Sequence, residues 1–402
     1  MVYVNFFGGI MLRKINRVFQ DYMREKRLRL GKYIWDRKRD KEEIKSGNFI
    51  EKNNIKKILF MRYDGKIGDM VINTLMFREI KMKYPYIEIG VVTKGGAKAV
   101  IENNPNVDKI YEYKKNRKSI KKLSLEIAAE KYDLLIDFSE MLRVNQMMLI
   151  NLCKARFNMG IGREKWELFD ISIKSGIDFK WTDHITERYS KYLKKLGFKE
   201  DEIDKKYDIY IEETEKYKEF LKGIKEKKVA VLNPYGASKH KSFSLETLDK
   251  VIKHLKTKNI GVILIYFGEK YKELEKLKKD NENVYIPENI ETIQDSVYLI
   301  KMSDLVITPD TSIVHIASAL NKANISVYPP KGGKYGVDHL VWAPKTEETK
   351  VIFCKDKMSQ YDEIDINTFD FEEMKKMIGE IYEKNIIQKW KYYDGGIRKN
   401  SM

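Results

Sequence analysis

Three short stretches hold the side chains with the most chemical reach: residues 64–69 (DGKIGD), 236–242 (GASKHKS) and 309–315 (PDTSIVH). Each stretch follows an apolar run and leads into a helical pattern. Helix N-termini carry unpaired N–H groups and the positive end of the helix dipole, so such loops can hold an anion. Asp69 and Asp310 add carboxylates that could take a proton or accept a hydrogen bond, and Lys241 adds a cation. Plain structural readings stand beside these. A first-turn or N-cap acid is favoured whatever its chemistry, Lys241 is one lysine in a lysine-rich chain, and His315 lies one turn inside an apolar helix, where a histidine is normally part of the core.

The elements that must position these loops alternate along the chain. Apolar runs at 57–63, 87–93, 109–113 and 133–138 read as buried strands, with helices at 70–84, 97–103 and 123–130 between them. Residues 157–211 look less regular apart from a helix at 187–196, and a charged helix is expected over 213–227. The alternation then restarts, with strands at 229–233, 260–267 and 304–309 and helices at 245–256, 270–279 and 292–302. This pattern predicts an α/β fold with two doubly wound parallel sheets, whose ligands sit beyond the carboxyl ends of the strands. The expected division is a basic N-terminal arm over 1–54, an α/β domain over 55–215, a second over 216–370, and a C-terminal helix and tail over 371–402, the helix able to cross back to the first domain.

The chain of 402 residues exceeds what one core usually supports, and 43% hydrophobic with 34% charged residues marks a folded globular protein. Its formal net charge of +17 favours anionic partners without choosing among them. No nucleic-acid-binding motif accompanies the charge, so no nucleic-acid partner is expected. The two cysteines, Cys153 and Cys354, share no metal-ligand spacing and suit a reducing compartment. An apolar start followed by basic residues reverses the order of a secretory signal, so a cytoplasmic location is expected. Aromatic and aliphatic residues recur among the Arg and Lys of residues 13–45 at roughly helical intervals. This arm reads either as an attachment to the anionic inner face of the cytoplasmic membrane through residues 1–45, or as a solvated helix packed on the body.

Three ordered segments carry a family resemblance. ILFMRYDGKIGDMVINTLMFREIKMKYP, followed by NPNVDKIYEY, resembles the opening strand, Gly-Asp loop and helix of glycosyltransferase family 9, the heptosyltransferases. NPYGASKHKSFSLETLDKVI is similar to that family's Gly-Ala-Ser loop with its lysine. LIKMSDLVITPDTSIVHIASALNKANISVYPP is similar to its Asp-led loop and small-residue helix. The resemblance spans residues 56–330 and implies a GT-B architecture, two Rossmann-like domains facing a cleft. It also implies inverting transfer from a nucleotide-sugar with no metal and no cofactor.

By that resemblance Asp69 is the catalytic base. Ser238, Lys241, Glu269, Asp310, Thr311, Ser312 and His315 contact the donor, with Glu269 on the ribose. On the acceptor side, Arg62, Lys66 and Lys94 are placed by position at strand ends and loops, where they could meet an anionic sugar-lipid. The favoured donor is ADP-heptose and the acceptor a lipopolysaccharide core or related glycan. The chain departs from the pattern at Asp64–Ile67, at Ser312 where glycine is usual, at Phe243 for tryptophan, and at Val327–Pro330. A UDP- or GDP-sugar donor, a nucleotide-sugar epimerase on the same fold, and a non-catalytic basic binding protein are the alternatives.

Overall fold

A computed structural model of the chain describes residues 2–37, 42–45, 47–332, 336–355 and 364–383, with side-chain surroundings given from residue 16 onward, Arg17 apart. The chain opens with helices α1 (Val2–Trp35) and α2 (Phe49–Lys52). The first sheet follows: β1 (Lys57–Met61), α3 (Ile67–Lys83), β2 (Glu88–Thr93), α4 (Gly96–Ala99), β3 (Lys109–Glu112), α5 (Arg117–Ala129), β4 (Leu134–Asp137), α6 (Val144–Cys153), β5 (Phe157–Ile161), β6 (Ile171–Ile173) and α7 (Ile185–Leu196). The short helix α8 (Lys218–Lys222) leads to the second sheet: β7 (Lys228–Leu232), α9 (Leu245–Thr257), β8 (Ile260–Leu264), α10 (Tyr271–Asp280), β9 (Val284–Tyr285), α11 (Ile293–Lys301), β10 (Leu305–Pro309), α12 (Ser312–Ala319), β11 (Ala323–Tyr328), α13 (Asp338–Trp342) and β12 (Thr349–Phe353).

Both sheets are six-stranded and wholly parallel, with orders β3-β2-β1-β4-β5-β6 and β12-β11-β10-β7-β8-β9. Counted within each half, the order is the same: the first strand lies beside the fourth, and the connections reverse direction between them. A crevice opens at that switch point, beyond the carboxyl ends of the strands. The loops after β1 and β4 border it in the first half, and those after β7 and β10 in the second. The inner strands β1, β4, β8 and β10 are buried along nearly their whole length, as helices on both faces require, which is why they read as unbroken apolar runs.

The structure departs from the sequence expectation in three places. Residues 157–161 form a fully buried strand, and β6 pairs beside it, where irregular chain was expected. Asn158 and Gly160 break the apolar run there; Asn158 is buried because its amide donates to the Leu168 carbonyl (2.8 Å). The charged helix shrinks to α8, because Gly223 ends it, its backbone N–H turning back to the Glu219 and Phe220 carbonyls. Residues 371–383 are helical, with Met374 and Ile378 buried, but their partners belong to the second half. Lys350 pairs with Glu380 (3.6 Å), His254 meets the Phe371 ring, and Lys228 lies over Tyr382. The described part of this helix therefore does not cross back to the first sheet, and the tail beyond 383 lies outside the described residues.

The segment that leads from the first half to the second is strapped along α3. Arg78 pairs with Asp208 (2.6 Å) and donates to the carbonyls of Asp204 and Lys206, while Thr74 exchanges hydrogen bonds with the Asp208 backbone. The connection between the halves is thus held on the same helix whose first turn carries Asp69.

Candidate active site

The turn from β1 into α3 is built around a buried guanidinium. Arg62 donates to Asn73 (2.8 Å), Tyr189 (2.7 Å) and Asp64 (3.3 Å), lies against the Phe138 ring, and comes within 3.6 Å of the Asp69 carboxylate. Burial works against its charge, but the surrounding Tyr189, Asp69 and Asp64 outweigh that and hold its pKa above the ordinary value. Asp69 occupies the third position of α3, where the helix dipole favours an acid, and is 6% exposed. Lys66, itself mostly exposed, reaches the same carboxylate oxygen at 3.5 Å. Asp64 accepts from the Lys66 backbone N–H (3.2 Å), which shapes the turn, and the Lys94 side chain packs over Gly65. Arg62, Lys66 and Asp69 are therefore one cluster with Lys94 at its edge. Arg62 is committed inside it, so it positions Asp69 and does not stand out toward an acceptor.

In the second half, Asn233 at the end of β7 ties two loops together. Its amide donates to the hydroxyls of Thr308 (2.9 Å) and Thr311 (3.3 Å) and to the Tyr235 carbonyl (3.1 Å). The 234–243 loop closes on itself: the Gly236 N–H donates to the Ser242 hydroxyl (3.0 Å), which donates to the Ser238 carbonyl (2.9 Å). A Cβ on Gly236 would lie 1.9 Å from the Lys241 carbonyl oxygen, so no side chain fits there without opening the loop. Ser238 Oγ is buried with no hydrogen-bond partner among the described residues, a costly state for a hydroxyl unless something meets it. Burial pushes the Asp310 carboxyl up to about 6; Lys241 pulls it down, Asp338 adds to the rise, and the Tyr328 hydroxyl also lowers it. Lys241 and Asp310 thus face one another electrostatically.

The other expected donor residues divide. Thr311 is the N-cap of α12, its hydroxyl accepting from the Ile313 N–H (3.3 Å) and facing Thr308 and Asn233, so its side chain is used inside the fold. Ser312 opens α12. Glu269 is exposed beyond β8, in a loop whose next residue, Lys270, lies over the Tyr235 ring. His315 is buried at the junction of the halves, with Nδ1 3.3 Å from the Tyr207 hydroxyl. Burial, and secondarily His184, lower its pKa to about 3.

The two halves meet where α3 and α12 begin. Gly68 lies so close to α12 that an added Cβ would come 2.8 Å from the His315 ring and 3.4 Å from the Ser312 Cα. Asp69, the next residue, is therefore brought beside the N-terminus of α12. A second bridge runs from His184, the N-cap of α7, whose Nε2 lies 3.0 Å from the Ala343 carbonyl oxygen. Burial, with Lys345 adding, lowers the His184 pKa to about 4; the Ala343 hydrogen bond opposes this.

Several residues that build this region were not singled out from the sequence. Asp137, fully buried at the end of β4, pairs with Arg163 (3.2 Å), which also donates to the Ser139 and Glu140 carbonyls. Arg188 pairs with Glu140 (2.7 Å) and lies over Trp181. An acid closing the apolar run LLID, and an arginine directly after GIG at a strand end, were the available signals for Asp137 and Arg163.

The arrangement offers a carboxylate on one wall, a cation and helix N–H groups on the other, and a seam between them. Comparison with known proteins gives the family and the fold. A family model described as glycosyltransferase family 9 (heptosyltransferase) matches residues 120–355, and a model of a family of unknown function matches 29–196. A relative in Escherichia coli, assigned as lipopolysaccharide heptosyltransferase 4, is 26% identical over 302 residues, covering 72% of this chain and 79% of its own length. Among solved structures, a family 9 glycosyltransferase from Veillonella parvula superposes with a TM-score of 0.65 at 16% identity, covering 82% of this chain and 97% of its own. The E. coli heptosyltransferase WaaC with ADP-2-deoxy-2-fluoro heptose superposes with a TM-score of 0.60 at 15% identity, covering 82% and 99%. The two facing sheets are the GT-B fold. With its family model matched over more than half its length, the chain belongs to glycosyltransferase family 9, the heptosyltransferase family, and is a glycosyltransferase.

Proposed function

We propose that the enzyme moves heptose from ADP-heptose, with inversion and without a metal, onto a lipopolysaccharide core or related surface-glycan acceptor. The observation that carries this reading is the convergence of the Asp69 turn on the start of α12, with Lys241 and Asp310 close together on the α12 side. An acceptor hydroxyl entering the seam gives its proton to Asp69 as its oxygen attacks the anomeric carbon. The bond from that carbon to the diphosphate oxygen breaks on the opposite face, and the electron pair leaves with the nucleotide. Negative charge grows on the diphosphate at that moment. Lys241, the Ser238 hydroxyl and the N–H groups at Ser312 are the groups suited to meet it, and a fixed cation with helix N–H groups can do so without a metal ion.

Arg62 holds the Asp69 carboxylate, Lys66 and Lys94 meet an anionic sugar-lipid at the mouth, and Glu269 is placed to contact the nucleotide ribose. Asp310 and His315 frame the donor side. An adenine nucleotide is supported by the relative solved with an ADP-heptose analogue.

The test is thermal unfolding with ADP, UDP, GDP and CDP, alongside transfer assays with the matching sugars. A nucleotide at about a hundred times its dissociation constant stabilises by roughly 2.7 kcal/mol, enough to raise the midpoint by a few degrees. A rise with ADP, and transfer from ADP-heptose, is expected; a rise with UDP or GDP in its place would overturn the donor assignment while leaving the fold reading intact.

A further inference from the structure

The first helix has two faces with opposite relations to the rest of the molecule. At 3.6 residues per turn, Leu28, Gly31 and Trp35 lie along one face. That face is docked: a Cβ on Gly31 would run into Val144 of α6, and the Trp35 carbonyl accepts from Asn151 (3.0 Å). Just beyond the helix, Asp36 accepts from the Leu168 N–H (2.9 Å). Lys32, on the flank, lies over Trp166. The opposite face carries Phe19, Tyr22, Lys26, Leu30 and Tyr33, with Arg37 following on the same line. Its apolar members are 60%, 52%, 62% and 71% exposed for Phe19, Tyr22, Leu30 and Tyr33. Cations sit on its aromatic rings, Lys26 over Tyr22 and Arg37 over Tyr33. The acids Asp21 and Glu25 lie off this face, and from residue 18 to 37 six basic residues stand against three acidic ones.

A helix fixed to its own domain along one side, and showing aromatic rings set among cations on the other, matches the chemistry of an anionic bilayer surface. The rings enter the headgroup boundary and the cations meet lipid phosphates. No helix among the described residues is long and apolar enough to cross a membrane, so contact through α1 would be lateral. We infer that α1 is a surface anchor that lays the enzyme on an anionic membrane through Phe19, Tyr22, Lys26, Leu30, Tyr33 and Arg37. The opposite face is the coupling: because Leu28, Gly31 and Trp35 are seated on α6, the anchor sets how the first sheet stands over the bilayer. This goes beyond the transfer reaction and does not depend on which sugar is moved.

Co-flotation of the full chain with vesicles tests it, using phosphatidylcholine alone and phosphatidylcholine mixed with phosphatidylglycerol, without nucleotide. Partitioning onto the anionic vesicles is expected to exceed that onto neutral ones by at least about tenfold and to weaken with salt. Two variants, Phe19→Ser/Tyr22→Ser/Leu30→Ser/Tyr33→Ser and Lys26→Glu/Arg37→Glu, should each lose most of that binding. Both should keep the helical circular dichroism and the nucleotide-induced thermal shift, since the changed side chains are exposed and far from the cleft. Equal binding to neutral and anionic vesicles, or no binding, overturns the inference. So does a dimer in sedimentation that the serine variant dissolves, which would make a second copy the occupant, or a nucleic acid duplex that binds the same face more tightly than the vesicles do.

Discussion

The two halves share one strand order and hold their polar groups in opposite ways. Around Asp69 the charged groups are already paired within the first half: Arg62 bonds Asn73, Tyr189 and Asp64, and Asp137 is paired with Arg163. In the second half the Ser238 hydroxyl is buried with no hydrogen-bond partner among the described residues, and the Asp310 carboxyl is pushed up by burial. The first arrangement suits a reacting group that must already be aimed, since preorganisation costs nothing at the moment of reaction. The second suits a charged ligand that completes the site on arrival. Under the proposed function, one topology serves as a fixed tool on one side and a receptacle on the other.

That contrast breaks most sharply at Asp69. Asp69→Asn removes the proton acceptor but keeps the shape, and Arg62 retains Asp64 as its counter-charge. Loss of a general base typically costs about 10²–10⁴-fold in rate. We expect kcat for transfer to fall by about that factor with ADP binding unchanged, measured by single-turnover transfer and by titration calorimetry. If nucleotide affinity fell equally, the halves would not be separable, and the carboxylate would be part of the receptacle.

The junction itself gives the next effect. His184 and His315 are held neutral by burial, with folded pKa values of about 4 and about 3 against an ordinary 6.5. In acid the unfolded chain takes up these protons first, so folding stability contributed by the neutral rings is complete above pH 6.5 and is lost as pH falls toward 4 and then 3. For His184 alone the span corresponds to about 3 kcal/mol. Denaturant melts between pH 7 and 4.5 should show this loss, and His184→Gln, which can still donate to the Ala343 carbonyl, should flatten part of it. An unchanged slope would mean that the histidines do not carry the acid sensitivity of the seam.

Lys241→Ala tests the receptacle. It should weaken ADP binding by about tenfold, roughly 1.4 kcal/mol, while leaving the Asp69 side untouched. A loss of kcat at saturating donor would add that the lysine also meets charge formed only during transfer.

How much of this was legible in the sequence follows from where each signal lies. Strands such as KILFM and LVITP are covered on both faces and announce themselves as apolar runs. The strand at 157–161 does not, because Gly160 stands in it; a Cβ there would press on Arg163 and Phe169, so the residue that hides the strand also makes room for the arginine. Asp69 and Lys66 share a turn, and their pairing is local enough to read. Arg62 reads from its position at a strand end as a contact for the acceptor, whereas its side chain turns inward to Tyr189, a residue far along the chain. Side-chain direction across such separations is a property of the packed fold, and no spacing in the sequence encodes it.

The smallest effect expected is the most informative about how the first half is preset. Tyr189 reaches Arg62 from α7, a different element from the one that carries Asp69, and its hydroxyl bond at 2.7 Å is one of three that fix the guanidinium. Tyr189→Phe keeps the ring, which packs on Phe138, and deletes only that bond. The loss should be about 1.5–3 kcal/mol in stability, as for a buried hydrogen bond to a charged group. If Arg62 aims Asp69, kcat should also fall several-fold with little change in donor KM, and a stability loss with kcat intact would mean the guanidinium only fills space. Adding Asp69→Asn to the same chain separates the two cases: once the carboxylate is gone, Tyr189→Phe should cost stability but no further rate.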